Sequence, residues 1–387
     1  MQIDLIVHAT HEAGVKFGGI GAVLDGLLGA PAYNQHVSRT ILVGPVDTSS
    51  PAEMERLIAA RNQLEILYDG PGEGRATAWR EDDVSAALAE IERAYGVKLL
   101  YGTRAFGPSR HEVLLVDGRH AHPGPVNRFK DALYRRFGIQ SDRYENHPEY
   151  SQHIQIADAA YLALEALAGS AGPHRFLIAH EFMGLPLCYS AMLRDPSQYA
   201  TIFYGHEVAT VRPIVELHPG HDTMFYSVLT QSKRAGLYLE EVFGDQSGFF
   251  KHALIGPAAA NCDNLFAVGD SVVDEMRFLG PAWEQSNIDL VYNGVPSDSI
   301  TLQEKNRSRE RLRQYCINLL GYSPDYLFTH VTRFIPSKGL WRDLRVMEQL
   351  DARLAEQGKS AVLYVLSTIL PAGRPAGCCR WSRRGPC

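Results

Sequence analysis

Residues 176–181 read FLIAHE, and residues 201–207 read TIFYGHE. Each is a continuous apolar run that ends in a histidine followed by a glutamate. Such runs are typical of strands covered on both faces, as in a parallel sheet between two layers of helices. The carboxyl ends of these strands meet at one edge of the sheet, where ligands of open α/β folds bind. We therefore predict an α/β fold with a site at the two His-Glu pairs.

Similar runs recur along the chain. In the first three hundred residues, strands are predicted at 3–7, 40–43, 113–116, 176–179, 201–204, 265–268 and 290–292. Apolar residues at helical spacing predict helices over 153–167 and 271–279. After a charged helical stretch at 303–320, strands are predicted at 326–332 and 361–366, with a helix over 338–356 between them. This alternation of strands and helices is typical of a parallel α/β sheet.

The order of these elements predicts two domains of unequal completeness. The first, residues 1–300, has a full set of strands, and residues 301–325 form the connection. Residues 326–370 begin a second doubly wound domain, which usually needs about six strands and here has two. Residues 371–387 read PAGRPAGCCRWSRRGPC and contain no acidic residue. We expect that the natural chain is interrupted near residue 370, for example by a frameshift; a metal-binding cysteine tail is the alternative.

Composition narrows the class of protein. Hydrophobic residues make up 45% of the chain, and 38 basic against 44 acidic residues give a net charge of −6. This balance argues against a nucleic acid or a membrane surface as partner. No apolar stretch reaches the roughly 18 residues that a membrane helix needs, and the amino terminus lacks the pattern of a signal peptide. We expect a cytoplasmic protein whose isolated Cys188, Cys262 and Cys316 are reduced core thiols.

A glycine-rich turn follows the first strand. Residues 14–21 read GVKFGGIG and join that strand to a helix. Glycines allow close approach of a ligand to the backbone, and a helix amino terminus favours an anion. Lys16 adds a mobile positive charge beside the amides of Gly18 and Gly19. The turn therefore predicts a phosphate site, although a purely structural strand-to-helix turn fits its shape equally well.

Two other groups of polar residues follow predicted strands. His180, Glu181, His206 and Glu207 could hydrogen-bond sugar hydroxyls or transfer a proton. After the strand at 326–332, residues 333–339 read RFIPSKG, which predicts a diphosphate site because two cations lie beside a helix amino terminus. A solvated turn is the alternative. No H-E-x-x-H or D-x-D pattern indicates a metal site.

Taken together, these motifs resemble those of retaining glycosyltransferases with two Rossmann-type domains, the GT-B class, and specifically of glycogen synthases, closer to the eukaryotic type. KFGG at 16–19 resembles the family's K-x-G-G loop, and HEFMG at 180–184 resembles its H-E-W segment. YGHEVAT at 204–210 and YNGV at 292–295 resemble two later turns. Residues 332–339 resemble the G-R-x-x-x-x-K-G motif. The resemblance extends in order over about residues 3–366.

The resemblance implies a GT-B-like α/β fold, with a complete acceptor-side Rossmann-type domain and an incomplete nucleotide-sugar-binding one. It implies transfer of glucose from UDP- or ADP-glucose to a glucan with retention, without a metal or other cofactor. His180 would bind a sugar hydroxyl near the reacting carbon, and Arg333 and Lys338 would offset the charge of the leaving diphosphate. The residues it assigns to substrate binding are Lys16, Gly18, Gly19, Glu181, His206, Glu207, Asn293 and Gly294.

The chain departs from the family's pattern in ways that bear on activity. The acidic E-x7-E motif of the second domain belongs beyond the region that the chain reaches, and Phe182 replaces the usual tryptophan. We therefore expect the 387-residue chain to be inactive as written. The alternatives are a non-catalytic glucan-binding remnant and a different GT-B sugar transferase. A nicotinamide-dependent enzyme would require a glycine fingerprint that the turn at 14–21 lacks.

Overall fold

The computed structural model describes residues 2–70, 83–169, 171–217, 221–294, 299–335 and 338–367. Its contacts divide the chain into two compact units, Met1–Pro296 and Ser297–Cys387. Each unit is described by itself. The expectation for the tail at 371–387 lies outside the described residues.

The first unit is built on one nine-stranded sheet. Its strands are β1 (Leu5–Ala9), β2 (Thr40–Pro45), β3 (Leu64–Asp69), β4 (Lys98–Phe106), β5 (Ser109–Asp117), β6 (Arg175–His180), β7 (Ala200–Gly205), β8 (Asn264–Ala267) and β9 (Ile288–Leu290). Their order across the sheet is β3-β4-β5-β2-β1-β6-β7-β8-β9. Neighbouring strands are parallel except at the β3–β4 and β4–β5 pairs. The predicted α/β fold with a largely parallel sheet is confirmed.

Three details of the sheet differ from the prediction. Strands β3 and β4 were not predicted, because β4 mixes apolar residues with Gly102, Thr103 and Arg104 and lacks a continuous apolar run. Strand β4 also runs antiparallel to its neighbours, which a two-residue turn into β5 allows. Strand β9 ends at Leu290, before most of the predicted 290–292. Beyond it Tyr292 is exposed, and its hydroxyl donates to Asp270 at 2.7 Å.

Helices cover both faces of this sheet. They are α1 (Gly19–Leu28), α2 (Pro31–His36), α3 (Pro51–Ile58), α4 (Asp83–Tyr95), α5 (Pro123–Phe137), α6 (Pro148–Ala168), α7 (Glu181–Arg194), α8 (Arg212–Leu217), α9 (His221–Ala235), α10 (Leu239–Phe243), α11 (Phe250–Ile255), α12 (Ala258–Asn261), α13 (Asp270–Phe278) and α14 (Pro281–Gln285). Short 3₁₀ turns lie at Ala60–Asn62 and Ser141–Tyr144. Across the described ranges, no helix combines the length and apolar character that crossing a membrane would require.

Strand β1 shows why the central runs are apolar throughout. Leu5 and Val7 point into the large core that helices α6 and α7 complete. Ile6 points to the opposite face and packs with Ile178 and Ile202 of the neighbouring strands. Because successive side chains alternate between faces, a strand buried on both sides needs an apolar residue at nearly every position. His8 is the exception on this strand, and its side chain shares the face of Ile6.

The second unit contains one βαβ arrangement and a preceding helix. Its elements are α15 (Leu302–Leu320), β10 (Tyr326–Val331), α16 (Leu340–Glu356) and β11 (Ala361–Leu366), with β10 and β11 parallel. The predicted elements of this region are confirmed within two residues of their ends. Helix α15, expected to form the connection, contacts β11 through Cys316, whose Sγ lies 3.0 Å from the Tyr364 hydroxyl. Among the described residues of this unit, the buried apolar side chains include Cys316, Leu354 and Pro324.

Candidate functional site

Strands β1 and β6 each supply a histidine to one face of the sheet, and a third histidine directly follows strand β7. The strand register places His8 opposite Ile178 and His180 opposite Tyr204. Side chains two residues apart on a strand share a face. His180 is two residues beyond Ile178, so its side chain lies on the same face as that of His8. His206 is two residues beyond Tyr204, which places it on this face as well.

These histidines form a continuous hydrogen-bonded chain. His206 Nε2 lies 2.9 Å from His180 Nδ1, and His180 Nε2 lies 2.9 Å from His8 Nδ1. His8 Nε2 then lies 3.2 Å from the Tyr33 hydroxyl, which lies 2.9 Å from the Thr40 hydroxyl. We call these five residues the histidine chain. A neutral imidazole has one donor and one acceptor nitrogen, so the donors along the chain must all point the same way.

Burial keeps the three imidazoles neutral. It lowers the pKa of His8 to about 3, with a further contribution from His111. It lowers the pKa of His206 to about 4 against the opposing effect of Glu207. It also holds the pKa of His180 well below its usual value, as do the neighbouring histidines. His8 and His180 are fully buried, whereas His206 is partly exposed. His206 is therefore the end of the chain that a ligand could reach.

Glu181 fixes the loop that presents His206. Its buried carboxylate accepts hydrogen bonds from the backbone N–H groups of His206 at 2.6 Å, Glu207 at 2.8 Å and Ala209 at 3.3 Å. Glu181 itself has a φ of 59° and Val208 a φ of 42°, both in the left-handed region. Such conformations cost about 1–3 kcal/mol each and persist where the surroundings enforce them. Glu181 thus holds the backbone of this loop in place.

An ion-pair cluster that joins the partly exposed Arg212 and Glu207 to the buried Glu275 lies next to the same loop. Arg212 is 3.4 Å from the Glu207 carboxylate and 3.9 Å from that of Glu275. Burial raises the pKa of Glu275 to about 7, although Arg212 opposes the rise, and the Tyr226 hydroxyl donates to the same carboxyl group. One guanidinium therefore serves two carboxylates here. Glu207, predicted to bind substrate, is held by this ion pair.

The glycine-rich turn already holds an anion that belongs to the chain. The Glu12 carboxylate accepts hydrogen bonds from the backbone N–H groups of Phe17 at 2.7 Å and Gly18 at 2.6 Å. Lys16 Nζ lies 2.9 Å from an Asp25 carboxylate oxygen. A phosphate at the amides of Phe17 and Gly18 would have to displace Glu12. The space around Gly19 is open, since a Cβ added there would meet nothing within 4 Å.

The turn after β9 reaches the histidine chain through Tyr204. The Tyr204 hydroxyl donates to the Val291 carbonyl at 2.9 Å and lies 3.5 Å from the Asn293 side-chain oxygen. The Tyr204 ring lies 4.5 Å from the His206 ring. Asn293 and the exposed Gly294 therefore lie at the same sheet edge as His180 and His206.

The two remaining predicted residues lie in the second unit. Arg333 and Lys338 are both exposed and occupy the turn between β10 and α16. In that turn the Lys338 N–H donates to the Ile335 carbonyl at 3.1 Å. The two side chains thus belong to one strand-to-helix turn, as the sequence predicts.

Sequence reasoning named His180, Glu181, His206 and Glu207 but missed most of the residues that hold the site in place. The missed residues are His8, Glu12, Tyr33, Arg212, Tyr226 and Glu275. Two of them are recognisable from the sequence. His8 interrupts an apolar strand, and Glu12 is an acidic residue in a turn that otherwise suits an anion. Tyr33 and Glu275 lie on other helices, so no local pattern connects them with the site.

The described residues include no group of three or more His, Cys, Asp or Glu side chains with the geometry of a metal site. The facing nitrogens of His8, His180 and His206 are used in contacts with one another at 2.9 Å, so they do not converge on a common point. This arrangement holds the neutral imidazole of His206 in one orientation at the surface. Such a group can donate to or accept from a hydroxyl.

No protein-family model matches the chain, and no curated protein matches its sequence. Solved structures do match. An α,α-trehalose-phosphate synthase (UDP-forming) from Burkholderia vietnamiensis is 13% identical with a TM-score of 0.42, over 94% of this chain and 64% of that one. A trehalose 6-phosphate synthase from Burkholderia multivorans is 13% identical with a TM-score of 0.42, over 95% and 65%. A structure from E. coli bound with UDP-2-fluoro glucose is 10% identical with a TM-score of 0.40, over 94% and 64%.

None of the three is a glycogen synthase, the family that the sequence motifs resemble. The chain spans slightly less than two thirds of the length of each of these solved structures, 64–65%.

Proposed function

We propose that this chain is of the glycogen synthase type, the glycosyltransferases that transfer glucose from UDP- or ADP-glucose to a glucan with retention, and that the 387-residue chain is itself inactive in transfer. The observation that carries the proposal is the meeting of distant motif residues at one sheet edge. His180 and His206 are in hydrogen-bond contact at 2.9 Å, and Asn293 approaches the same edge through Tyr204. Ligands of open α/β sheets bind at this edge.

In this proposal His206 contacts the sugar and His180 positions it. His180 is fully buried between two other imidazoles, so it reaches a sugar only through His206. His206 presents one nitrogen of fixed protonation to a hydroxyl, because its other nitrogen is committed to His180. A group oriented before binding loses little entropy when a ligand arrives, which favours precise placement of the reacting sugar.

The second unit supplies cations for the leaving group. Breaking the bond between sugar and diphosphate develops negative charge on the leaving phosphate. Arg333 and Lys338, which share one turn, would offset that charge without a metal ion. A preorganised stabiliser of this kind contributes about 10²–10³ to turnover in known enzymes. Lys16 and the open side of Gly19 would hold the acceptor or a phosphate from the first unit.

The second candidate is a protein that binds glucan without transferring glucose. The observation in its favour is the exposure of apolar side chains in the second unit, with Leu344 67% and Val331 76% exposed. A donor site needs a rigid frame, and these surfaces lack packing partners in the unit as described. For the 387-residue chain we therefore propose glucan binding without measurable elongation.

Two assays on the full chain separate these functions. Incorporation of radiolabelled glucose from UDP- or ADP-glucose into glycogen measures transfer, and migration through glycogen-containing native gels measures binding. We expect retarded migration, weakened at least tenfold in affinity by His206→Ala and unchanged by His174→Ala, an exposed histidine at the opposite end of β6. Donor-dependent incorporation would show the transferase itself. Absence of both glucan binding and incorporation would refute both functions.

A further inference from the structure

The hydrogen bonds of the histidine chain can run in two directions, and each direction gives the outer end a different chemistry. Every imidazole in the chain is neutral, so one of its nitrogens donates and the other accepts. If the hydrogen bonds run outward from Thr40, the Nδ1 of His206 carries a proton. If they run inward, the same nitrogen is an acceptor. The direction therefore decides what His206 offers to a ligand.

The inner end of the chain penalises the inward direction. Thr40 is only 3% exposed, and its hydroxyl hydrogen-bonds with the Tyr33 hydroxyl and with no other group of the described residues. In the inward direction His8 donates to Tyr33, and Tyr33 donates to Thr40. The proton of the Thr40 hydroxyl then has no acceptor. A buried donor without a partner has lost its hydration and gained no hydrogen bond in exchange.

The outward direction pairs every buried proton of the chain. Thr40 donates to Tyr33 at 2.9 Å, and Tyr33 donates to His8 Nε2 at 3.2 Å. His8 Nδ1 then donates to His180 Nε2, and His180 Nδ1 donates to His206 Nε2, both at 2.9 Å. The proton that remains is on His206 Nδ1, at the partly exposed end, where solvent or a ligand can accept it.

The outward direction also strengthens the outer donor. Hydrogen bonds that point the same way polarise one another, so the last N–H of an aligned chain is a better donor than that of an isolated imidazole. Which ring nitrogen of a histidine carries the proton is set by the hydrogen bond that the other nitrogen makes. His206 Nε2 accepts from His180, and this contact leaves the proton on Nδ1.

We propose that Tyr33 is a positioning residue that makes His206 a neutral hydrogen-bond donor, with its Nδ1–H available to an acceptor oxygen of the ligand. That this oxygen belongs to a glucan rests on the proposed function, whereas the protonation state of His206 does not. A nitrogen that already carries a proton cannot accept another. His206 therefore acts in this site as a donor and not as a general base.

Long-range ¹H–¹⁵N spectra of the full chain at pH 7 test the direction. In the wild type we expect His206 to carry its proton on Nδ1. Tyr33→Phe and Thr40→Val each remove one of the two inner hydroxyls, and both break the hydrogen bond between them. Only Tyr33→Phe removes the donor to His8, and an isolated histidine side chain prefers Nε2–H. The Nε2–H fraction of His206 should therefore rise about tenfold in Tyr33→Phe, the effect of one buried hydrogen bond.

Thr40→Val is the matched control. Its Tyr33 hydroxyl keeps His8 Nε2 as an acceptor, so His206 should remain in the Nδ1–H form. A purely structural role of the hydroxyl pair would affect the two variants alike. Thermal unfolding confirms that each variant is folded. An Nε2–H or doubly protonated His206 in the wild type would overturn the proposal, as would equal tautomer fractions in the two variants.

Maltoheptaose separates this proposal from the proposed function. Donation from His206 Nδ1–H to the glucan should slow the exchange of this proton with water and sharpen its signal. If the wild type has the Nδ1–H form and maltoheptaose changes nothing, the positioning by Tyr33 is supported and the glucan function is contradicted. If maltoheptaose binds while His206 is in the Nε2–H form, the positioning by Tyr33 is refuted and the glucan function is retained.

Discussion

The two units of this chain contain the same kind of strand and the same kind of charged turn, yet they differ in what surrounds them. Strand β6 of the first unit is buried between parallel strands and helices, with Leu177 and Ala179 fully enclosed. Strand β10 of the second unit pairs with β11 alone, and every residue along it is at least partly exposed. A site needs both the chemistry of its residues and a frame that holds them.

The frame explains why the histidine site is better defined than the arginine turn. His206 is oriented by His180, and its loop is held by the Glu181 carboxylate through three backbone N–H groups. The side chains of Arg333 and Lys338 are exposed. Preorganised groups lose less entropy on binding than mobile ones. The comparison therefore predicts specific sugar binding by the first unit and a weaker contribution from the second.

The largest expected effect is in local stability. Amide exchange should be at least a thousandfold slower in β1, β6 and β7 than in β10 and β11, because the former lie in a core buried on both faces. Limited proteolysis should leave a stable fragment that ends near residues 296–325. Equal protection of the strands in both units would contradict the comparison.

A matched pair of leucine substitutions sharpens the same comparison. Leu177→Ala removes a fully buried side chain from β6 and should lower the free energy of unfolding by about 2–5 kcal/mol. Leu344→Ala in α16 changes a side chain that is 67% exposed and should stay within about 0.5 kcal/mol. Urea unfolding followed by circular dichroism measures both. A large loss for Leu344→Ala would mean that this helix face is packed in solution.

The next effect concerns pH. The pKa values of His8 and His206 are lowered to about 3 and about 4 in the folded state. Below a pH of about 6.5, these two histidines are therefore protonated in the unfolded chain but remain neutral in the folded chain. Stability should therefore decrease as the pH falls from about 6.5 towards 4. The pKa of Glu275, raised to about 7, acts in the opposite direction, but the lowered histidines, including His153 and His180, outnumber it.

The histidine contribution can be isolated with His206→Gln. This change removes one titrating group from the difference in bound protons between the unfolded and the folded chain. It should reduce the slope of stability against pH by about 1.4 kcal/mol per pH unit between pH 6 and 5. His174→Gln is the control, since His174 is exposed. Urea unfolding at a series of pH values gives the slopes. Identical slopes for wild type and His206→Gln would show that His206 is protonated freely in the folded state.

The smallest effect is expected at the inner end of the histidine chain. Tyr33→Phe removes the hydroxyl that lies between His8 and Thr40, and it leaves buried polar atoms on both sides without that partner. The loss of stability should be about 1–3 kcal/mol, close to the lower end because the ring is retained. Tyr134→Phe, at an exposed position, should change nothing measurable. A neutral result at Tyr33 would mean that the hydroxyl does not complete the chain.

Much of this picture follows from local sequence pattern, and the rest depends on contacts that local pattern does not encode. Continuous apolar runs are enough to predict β6 and β7, because a strand that is buried on both faces needs an apolar residue at nearly every position. The antiparallel β4 gives no such signal, because its short apolar stretch is followed by Gly102, Thr103 and Arg104. In the site, the position of His206 after β7 was predictable, whereas its orientation depends on Tyr33 and His8, which reach it only through strand order and register.

The glycine-rich turn shows the same limit. Its residues are suited to an anion, and the structure does place an anion there, but it is the carboxylate of Glu12. A pattern specifies which chemistry is favoured at a position. It does not specify whether a side chain of the protein or a ligand occupies that position.

The most direct test of the proposed sugar site is a histidine-detected titration. Long-range ¹H–¹⁵N spectra of the full chain at pH 7 report the protonation and tautomer of each imidazole, and maltoheptaose can be added as the glucan probe. We predict neutral single tautomers for His8, His180 and His206, and a shift of the His206 signals with added maltoheptaose while those of His174 stay fixed. Unshifted His206 signals at saturating maltoheptaose, or a protonated His206 at pH 7, would contradict this account.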